Sequence, residues 1–249
     1  MALKHWVDFF DDLEHVRGRS INTIQAYRRD LELFDEFLQK SKNLDHLYRF
    51  LQKNKLSPRS QARVLSSIRT YYRYCQERGD KIPDLNQLRP PKVSVELPEA
   101  LSYGDFQKLY KACLVESPHK SARNQMTLLL LFGLGCRVSE LIQLNLQDFS
   151  ETEGWLKVLG KGNKERIVPL TQNLLDELKI YLDHVRPHLC KESTPTILVN
   201  DRGRRPSRVD IWRWLEAWSK RAGFSKTISP HKFRHGCATA LLEGGADLR

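Results

Sequence analysis

The sequence lacks a long hydrophobic run. Its longest apolar stretch extends from Met126 to Phe132, far short of the roughly 20 residues that cross a bilayer. The first 16 residues are interrupted by Asp and Glu, which is not the pattern of a signal peptide. We therefore expect no membrane segment and no secretory leader, and a cytoplasmic or nucleoid-associated protein.

Paired cysteine spacing is also missing. An odd and dispersed set of thiols predicts reduced cysteines, and it argues against disulfides or a zinc site. The five cysteines are Cys75, Cys113, Cys136, Cys190 and Cys237. No internal repeat or low-complexity tract is present.

Acidic residues are in deficit. Asp and Glu number 30 against 41 Lys and Arg, which gives a formal net charge of +11. A surplus of this size favours a polyanionic partner, and nucleic acid is the commonest one. An ordinary basic, soluble surface is the alternative.

The first 80 residues show helical patterns only. Ser20 is a suitable N-cap for one amphipathic helix, and Ser57 followed by Pro58 predicts the start of another. Further helices are expected over about residues 3–16 and 44–54. The apolar stripes of the two strong helices are Ile24, Tyr27, Leu31, Phe34, Leu38 and Ala62, Leu65, Ile68, Tyr72, Cys75. Residues 1–80 are thus predicted to form a four-helix DNA-binding domain.

The helix after Ser57 contains no acid as far as Gln76. Its basic residues predict a face that follows DNA phosphates, with Tyr71 and Tyr74 beside it. A solvated basic face is the alternative. The arginines are Arg59, Arg63, Arg69 and Arg73.

Residues 81–99 contain four prolines and no helical period, so we interpret them as a linker. A second unit is then expected over residues 100–249. It is mixed: Ser102 caps a helix, an apolar helix ends at a glycine, and alternating residues on both sides of a Gly-Lys-Gly-Asn turn predict a β-hairpin. Further helices are expected from Thr171 and from Asp210.

Four places in the second unit could hold an anion. Arg137 follows a glycine-containing turn and opens a helix, and Lys161 lies between glycines at the tip of the hairpin. His231 and Arg234 share one face of a helix that begins at Pro230. A basic loop could add contacts to the DNA backbone, through Arg202, Arg204, Arg205 and Arg208. Taken singly, each place could equally be structural or merely exposed.

The order of these places is specific. The stretches "NTIQAYRRDLELFDEFL", "GLGCRVSELIQL", "GKGNKERIVPL" and "SPHKFRHGCATALLEGGADLR" resemble, in sequence and in order, the motifs of the tyrosine site-specific recombinases. Within that family they are most similar to the bacterial Xer recombinases. The resemblance runs along the whole chain. It implies a mainly α-helical fold with a small β-sheet, in which a four-helix core-binding domain precedes a mixed α/β catalytic domain.

The resemblance also implies roles for single residues. Arg137 and Arg234 would grip the scissile phosphate and stabilise the charge of its transition state. Lys161 would be the general acid for the departing 5′-oxygen, and His231 would assist proton transfer. Glu140, one turn after Arg137, would orient that arginine. Neither a cofactor nor a metal is implied, because the arginines supply the positive charge.

The family context implies partners as well. The expected substrate is a double-stranded DNA recombination site, cut and rejoined through a Holliday junction by a tetramer on paired sites. Chromosome dimer resolution, often with a second recombinase and a septal DNA translocase, would be the cellular role. A phage or mobile-element integrase is the alternative, whereas the four-helix unit argues against a type IB topoisomerase.

The sequence departs from the family pattern in its tyrosines. The last of the eight is Tyr181, so none follows His231, where the family has its nucleophile; Ala240 also stands where many relatives have histidine. We therefore expect the catalytic domain to be incomplete at its C-terminus and the chain as written not to cleave DNA. The other reading is a non-cleaving DNA-binding module. A tyrosine encoded beyond Arg249 would favour the enzyme, and a stop codon the module.

Overall fold

The computed structural model describes residues 3–41, 43–88, 100–160, 162 and 164–243. The chain divides into two compact units, Met1–Glu96 and Leu97–Arg249. Each unit has its own hydrophobic core. The predicted fold class is confirmed: the chain is mostly helical with one small antiparallel sheet.

Helices form the described part of the N-terminal unit. They are α1 (Trp6–Asp11), α2 (Ile21–Lys40), α3 (Leu47–Lys53) and α4 (Pro58–Glu77). A π-helical turn, Asp12–Val16, continues α1, and a 3₁₀ turn, Leu44–His46, precedes α3. The predicted caps are present: Ser20 Oγ accepts a hydrogen bond from the Thr23 N–H, and Ser57 Oγ accepts one from the Ser60 N–H.

The buried stripe of α4 is wider than the sequence pattern indicated. Tyr71 and Tyr74 do not flank a DNA-binding face but lie in the core, with exposures of 2% and 0%. The Tyr71 hydroxyl donates to the carbonyl of Lys4, and its ring packs edge-on against Phe9. Aromatic burial stabilises the small unit more than exposure to solvent would, so the two rings turn inward.

The predicted linker begins later than residue 81. A 3₁₀ turn forms at Leu85–Gln87, and Leu88 is fully buried in the N-terminal core. Residues 81–88 therefore extend the first unit. The remainder of the predicted linker, residues 89–99, lies outside the described residues.

The second unit places helices around a three-stranded sheet. Its helices are α5 (Tyr103–Ala112), α6 (Pro118–Gly133), α7 (Val138–Leu141), α8 (Gln172–Ile180), α9 (Arg186–Leu189), α10 (Arg208–Arg221) and α11 (Pro230–Glu243). A π-helical turn, Tyr181–Val185, joins α8 to α9. Ser102 caps α5 as predicted, since its Oγ accepts from the Asp105 N–H.

The sheet contains the predicted hairpin and one strand more. Its strands are β1 (Phe149–Ser150), β2 (Trp155–Leu159) and β3 (Glu165–Pro169), all antiparallel in the order β1-β2-β3. Leu156 and Val158 are fully buried while their neighbours on β2 are half-buried, which confirms the alternation. The two-residue β1 is too short to give a sequence signal.

Helix α10 begins earlier than predicted. Ser207 is its N-cap, because Ser207 Oγ accepts from the Asp210 N–H while the Asp210 carboxylate accepts from the Ser207 N–H. The helix thus starts at Arg208 and not at Asp210. The capping residue moves Arg208 from a loop to the first helical position.

Membrane-spanning helices and cysteine pairing can be examined in the residues that the structure describes. No helix among them has the length and apolar character needed to cross a membrane. All five cysteines are free thiols, and four of them are buried.

Candidate active site

Arg137 stands at the N-cap of α7, where Glu140 anchors it twice. The Glu140 carboxylate accepts the Arg137 backbone N–H at Oε2 over 3.1 Å and Nη1 of the guanidinium at Oε1 over 2.8 Å. Half of the Arg137 side chain stays exposed, whereas that of Glu140 is only 3% exposed. The carboxylate therefore orients the guanidinium and leaves part of it free for a ligand.

A third residue, absent from the sequence prediction, binds the same carboxylate. Nη2 of Arg166, on β3, donates to Glu140 Oε2 over 2.8 Å. Burial raises the pKa of the Glu140 carboxyl, but hydrogen bonds from Arg166 and Arg137 outweigh burial, and the pKa lies below its ordinary value. Glu140 is therefore an anion shared by two arginines.

The second predicted motif lies on the first turns of α11. His231 is exposed and Arg234 is half-buried. Nη1 of Arg234 donates to the carbonyl oxygen of Gly135 over 2.8 Å. That bond joins α11 to the turn immediately before Arg137, so the two motifs meet although they are distant in sequence.

The motifs line one cleft of about 330 Å³. Arg137, His231 and Arg234 all line this active-site cleft, as do Arg208 and Trp212 from the first turns of α10. Three guanidinium groups and an imidazole therefore converge on one concave surface. Such a set suits a phosphate, because arginine binds oxyanions through paired N–H donors.

The cleft contains one thiol but no tyrosine among its described lining residues. Burial raises the pKa of Cys136 to about 12, so this thiol is protonated and a poor nucleophile. Tyr181, the last tyrosine of the chain, is buried in the core and its hydroxyl donates to the carbonyl of Ile197.

Lys161 lies outside the described residues, and its predicted role has no structural test. Gly160 and Lys164, on either side of it, are described. The Gly160 N–H donates to the carbonyl of Lys164 over 2.7 Å, and Leu159 pairs with Glu165 across the hairpin. The described ends of the hairpin therefore meet at Gly160 and Lys164, and the role of Lys161 stays a prediction.

The arginines of the basic loop have different surroundings. Arg208 lines the cleft, and exposed Arg204 approaches Glu192 at 3.7 Å. Arg202 is exposed. The Arg205 guanidinium donates within the unit, to the Ile142 carbonyl and to Asn145 Oδ1, and its DNA contact stays a prediction.

On α4 the four predicted arginines also differ from one another. Arg59 and Arg73 are exposed. Nη1 of Arg63 donates to Asp30 Oδ1 over 2.6 Å, and half-buried Arg69 reaches the Leu85 carbonyl. Arg59 and Arg73 are thus open to a ligand, whereas Arg63 and Arg69 also have contacts within the unit.

Arg166 and Trp212 are the site residues that sequence reasoning missed. Trp212 is 47% exposed and lines the cleft from α10. The sequence could have indicated this position, because Trp212 follows Arg208 by four residues and so lies on the same side of α10. Arg166 gave no signal, because an arginine on a hairpin strand is ordinary.

Comparison with known proteins identifies the family. Residues 100–249 match the Phage integrase family, and residues 7–79 match the Phage integrase N-terminal SAM-like domain. The chain belongs to the phage integrase family. It is 38% identical over 249 residues to Tyrosine recombinase XerD of Staphylococcus saprophyticus, which covers 94% of this chain and 83% of that protein. Tyrosine recombinase XerD of Listeria innocua is 36% identical, over 97% of this chain and 87% of that protein.

These relatives confirm the predicted resemblance, and the chain is a site-specific tyrosine recombinase of the Xer type. Solved structures agree in fold. The XerH site-specific recombinase bound to a palindromic difH substrate superimposes with a TM-score of 0.71 at 23% identity, over 93% of this chain and 72% of that chain. Lambda Integrase bound to DNA gives a TM-score of 0.75 at 19% identity, over 98% and 88% of the two chains.

Proposed function

We propose that the active-site cleft binds the scissile phosphate of a double-stranded DNA recombination site. The observation that supports this is the convergence of Arg137, His231 and Arg234 on one cleft. Two guanidinium groups can meet the nonbridging oxygens, on which negative charge accumulates as the phosphorus becomes pentavalent. Arg234 keeps one N–H on Gly135 and Arg137 one on Glu140, so both enter the reaction already oriented.

Cleavage requires a tyrosine after His231, where this sequence has none. Its oxygen forms a bond to phosphorus while the bond from phosphorus to the 5′-oxygen breaks. Lys161 gives its proton to the departing oxygen, and His231 accepts the proton of the attacking hydroxyl. Rejoining is the reverse reaction with the 5′-hydroxyl of another strand. Arg137 and Arg234 supply the positive charge in both directions.

DNA binding outside the cleft is proposed for the exposed arginines. Arg59 and Arg73 on α4, and Arg202 and Arg204 in the loop before α10, would contact phosphates. Arg208 would do so at the edge of the cleft. Arg63 and Arg69 would contribute only with the part of each guanidinium that its internal bond leaves free.

The site is tested by strand cleavage with protein expressed from the full reading frame of the gene. A nicked duplex with one half-site traps the covalent protein–DNA adduct. Arg137→Ala and Arg234→Ala should each lower the cleavage rate by about 3–4 kcal/mol of transition-state stabilisation while DNA binding changes little. Equal loss of binding and cleavage, or unaltered cleavage, would reject the assignment.

Assembly and cellular role are proposed from the relatives. One solved neighbour is a lambda integrase tetramer bound to a Holliday junction, and it shares the fold with a TM-score of 0.73. We infer that this chain acts as a tetramer on paired sites in the cytoplasm and resolves chromosome dimers, with a second recombinase and a septal DNA translocase as partners. Deletion of the gene should then raise the fraction of dimeric chromosomes. Loss of excision of a flanking mobile element instead would favour the integrase alternative.

A further inference from the structure

Arg166 has no place in the predicted catalytic set, yet it contacts the group that orients Arg137. Its Nη2 lies 2.8 Å from Glu140 Oε2, and Arg137 Nη1 lies 2.8 Å from Glu140 Oε1. The carboxylate is 3% exposed, while Arg166 and Arg137 are 37% and 48% exposed. One buried anion is thus shared between two half-exposed guanidinium groups.

The same pair lies at the hairpin formed by β2 and β3, of which Arg166 is a member. Arg166 is the register partner of Val158 on β2, close to the end of the hairpin. A Cβ built on Gly160 would lie 3.6 Å from Arg166 Nη1 and 3.8 Å from Glu140 Oε1. Gly160 therefore lies beside the side chains of Arg166 and Glu140.

The division of the carboxylate oxygens has a physical consequence. A buried carboxylate needs donors on both oxygens, because an unsatisfied one pays its full desolvation cost. Oε2 also accepts the Arg137 backbone N–H over 3.1 Å, so without Arg166 the carboxylate would be held by Arg137 alone. The Arg137 guanidinium could then add a bidentate contact to Glu140 and turn away from the cleft. Arg166 opposes this, because its guanidinium already supplies the side-chain donor at Oε2.

We propose that Arg166 is a positioning residue, which holds Glu140 so that Arg137 keeps its free N–H groups in the cleft. The inference rests on the proposed function of the cleft as the phosphate-binding site. The Arg166–Glu140 contact connects β3 to α7. If each arginine only bound phosphate on its own, no such connection would be needed.

The test compares Arg166→Ala, Arg166→Lys, Glu140→Gln and the double variant Arg166→Ala/Glu140→Gln. Single-turnover cleavage is measured at saturating DNA, and the DNA Kd separately. Arg166→Ala should slow cleavage about 10–100-fold, the usual effect of losing a partner that orients a reacting group, with the Kd within about twofold. Arg166→Lys should recover part of the rate. The double variant should be little slower than Glu140→Gln, because both changes act through one carboxylate.

Arg186→Ala is the matched control. Arg186 also bonds within the second unit, since its Nε donates to the Thr196 carbonyl over 2.9 Å, but it does not line the cleft. It should lower Tm without changing the cleavage rate at saturating DNA. If Arg166→Ala behaves in the same way, or if its effect adds fully to that of Glu140→Gln, the positioning role is wrong.

A second readout separates this inference from the proposed function. The Nε–H signal of Arg137 in ¹H–¹⁵N NMR spectra reports its guanidinium contacts without any cleavage. Arg166→Ala should shift that signal, whereas Arg186→Ala should not. If wild-type protein expressed from the full reading frame cleaves no DNA, the proposed function is rejected, and the Arg137 signal still decides for or against the positioning role.

Discussion

Arg234 donates a hydrogen bond from Nη1 to the carbonyl oxygen of Gly135, although the two residues are 99 positions apart. Gly135 lies in the turn that leads to Arg137 and has a φ of +52°. Its neighbour across the contact is Cys237 of α11, whose Sγ would be 2.9 Å from a Cβ at position 135. The turn thus needs glycine for both its conformation and its packing, and it connects Arg137 to the helix that contains Arg234.

Gly135→Ala is expected to destabilise the second unit and to stop cleavage. The left-handed conformation alone costs a non-glycine residue about 1–2 kcal/mol. The close approach to Cys237 adds about 1–3 kcal/mol of overpacking. Urea unfolding and the covalent-adduct assay measure the two effects.

Gly223→Ala is the matched control for that change. Gly223 has a φ of +79° but no heavy atom within 4 Å of the position of its added Cβ. It should therefore show only the backbone cost and retain cleavage. Equal losses of stability at the two positions would mean that the contact with Cys237 is without energetic importance.

Lys161→Ala should slow cleavage of ordinary DNA and leave binding nearly unchanged. A general acid is needed only when the leaving group is poor. A substrate with a bridging 5′-thiolate, which leaves without a proton, should therefore restore the rate. Lys164→Ala, in the same hairpin, should have little effect on either substrate. Absence of rescue would remove the general-acid role from Lys161.

DNA affinity should fall steeply with salt, because each neutralised phosphate releases counterions. Arg59→Ala and Arg73→Ala should each reduce the slope of log K against log salt by about 0.9 and leave Tm unaltered. Lys40→Ala, which removes one charge from an ion pair with Glu36, is the control. If it lowers the slope equally, the α4 arginines act only through overall charge.

Arg63→Ala should differ from these variants by destabilising the N-terminal unit. Asp30 is 2% exposed, and it accepts hydrogen bonds from Arg63 and from the Ser67 hydroxyl. Loss of one donor to a buried carboxylate costs about 1–3 kcal/mol. A drop in Tm together with a smaller salt slope would indicate that Arg63 serves both the fold and DNA; a change in slope alone would contradict the structural role.

The same variant has a defined pH dependence. Burial raises the pKa of Asp30 above its ordinary value of 3.8, although Ser67 and Arg63 oppose this. The folded state therefore holds the proton more tightly than the unfolded state, and stability falls as pH rises from 3.8 through the raised pKa. Without Arg63 the pKa rises further, so Arg63→Ala should cost more at neutral pH than in mild acid. Asp30→Asn/Arg63→Ala should abolish that difference in urea unfolding.

Local features were predictable because local physics decides them. Ser20, Ser57 and Ser102 are N-caps as predicted. A serine just before a helical apolar pattern is well placed to accept a hydrogen bond from an unpaired backbone N–H of the first turn. The hairpin followed in the same way from alternation and a glycine turn. The start of α10 was missed, because the capping pair Ser207 and Asp210 lies inside a stretch that reads as a basic loop.

The sequence by itself determined the helical character of both units, the lysine hairpin and the family, because caps, periodicity and ordered motifs are local or linear properties. Only the tertiary structure decided which polar groups share a partner. It turned Tyr71 into the core, bound Arg205 to the Ile142 carbonyl, and put Arg166 and Arg137 on the single carboxylate of Glu140. Such contacts depend on the free-energy cost of burying polar groups, which is set by residues far away in the chain. A local sequence pattern carries no information about those distant residues.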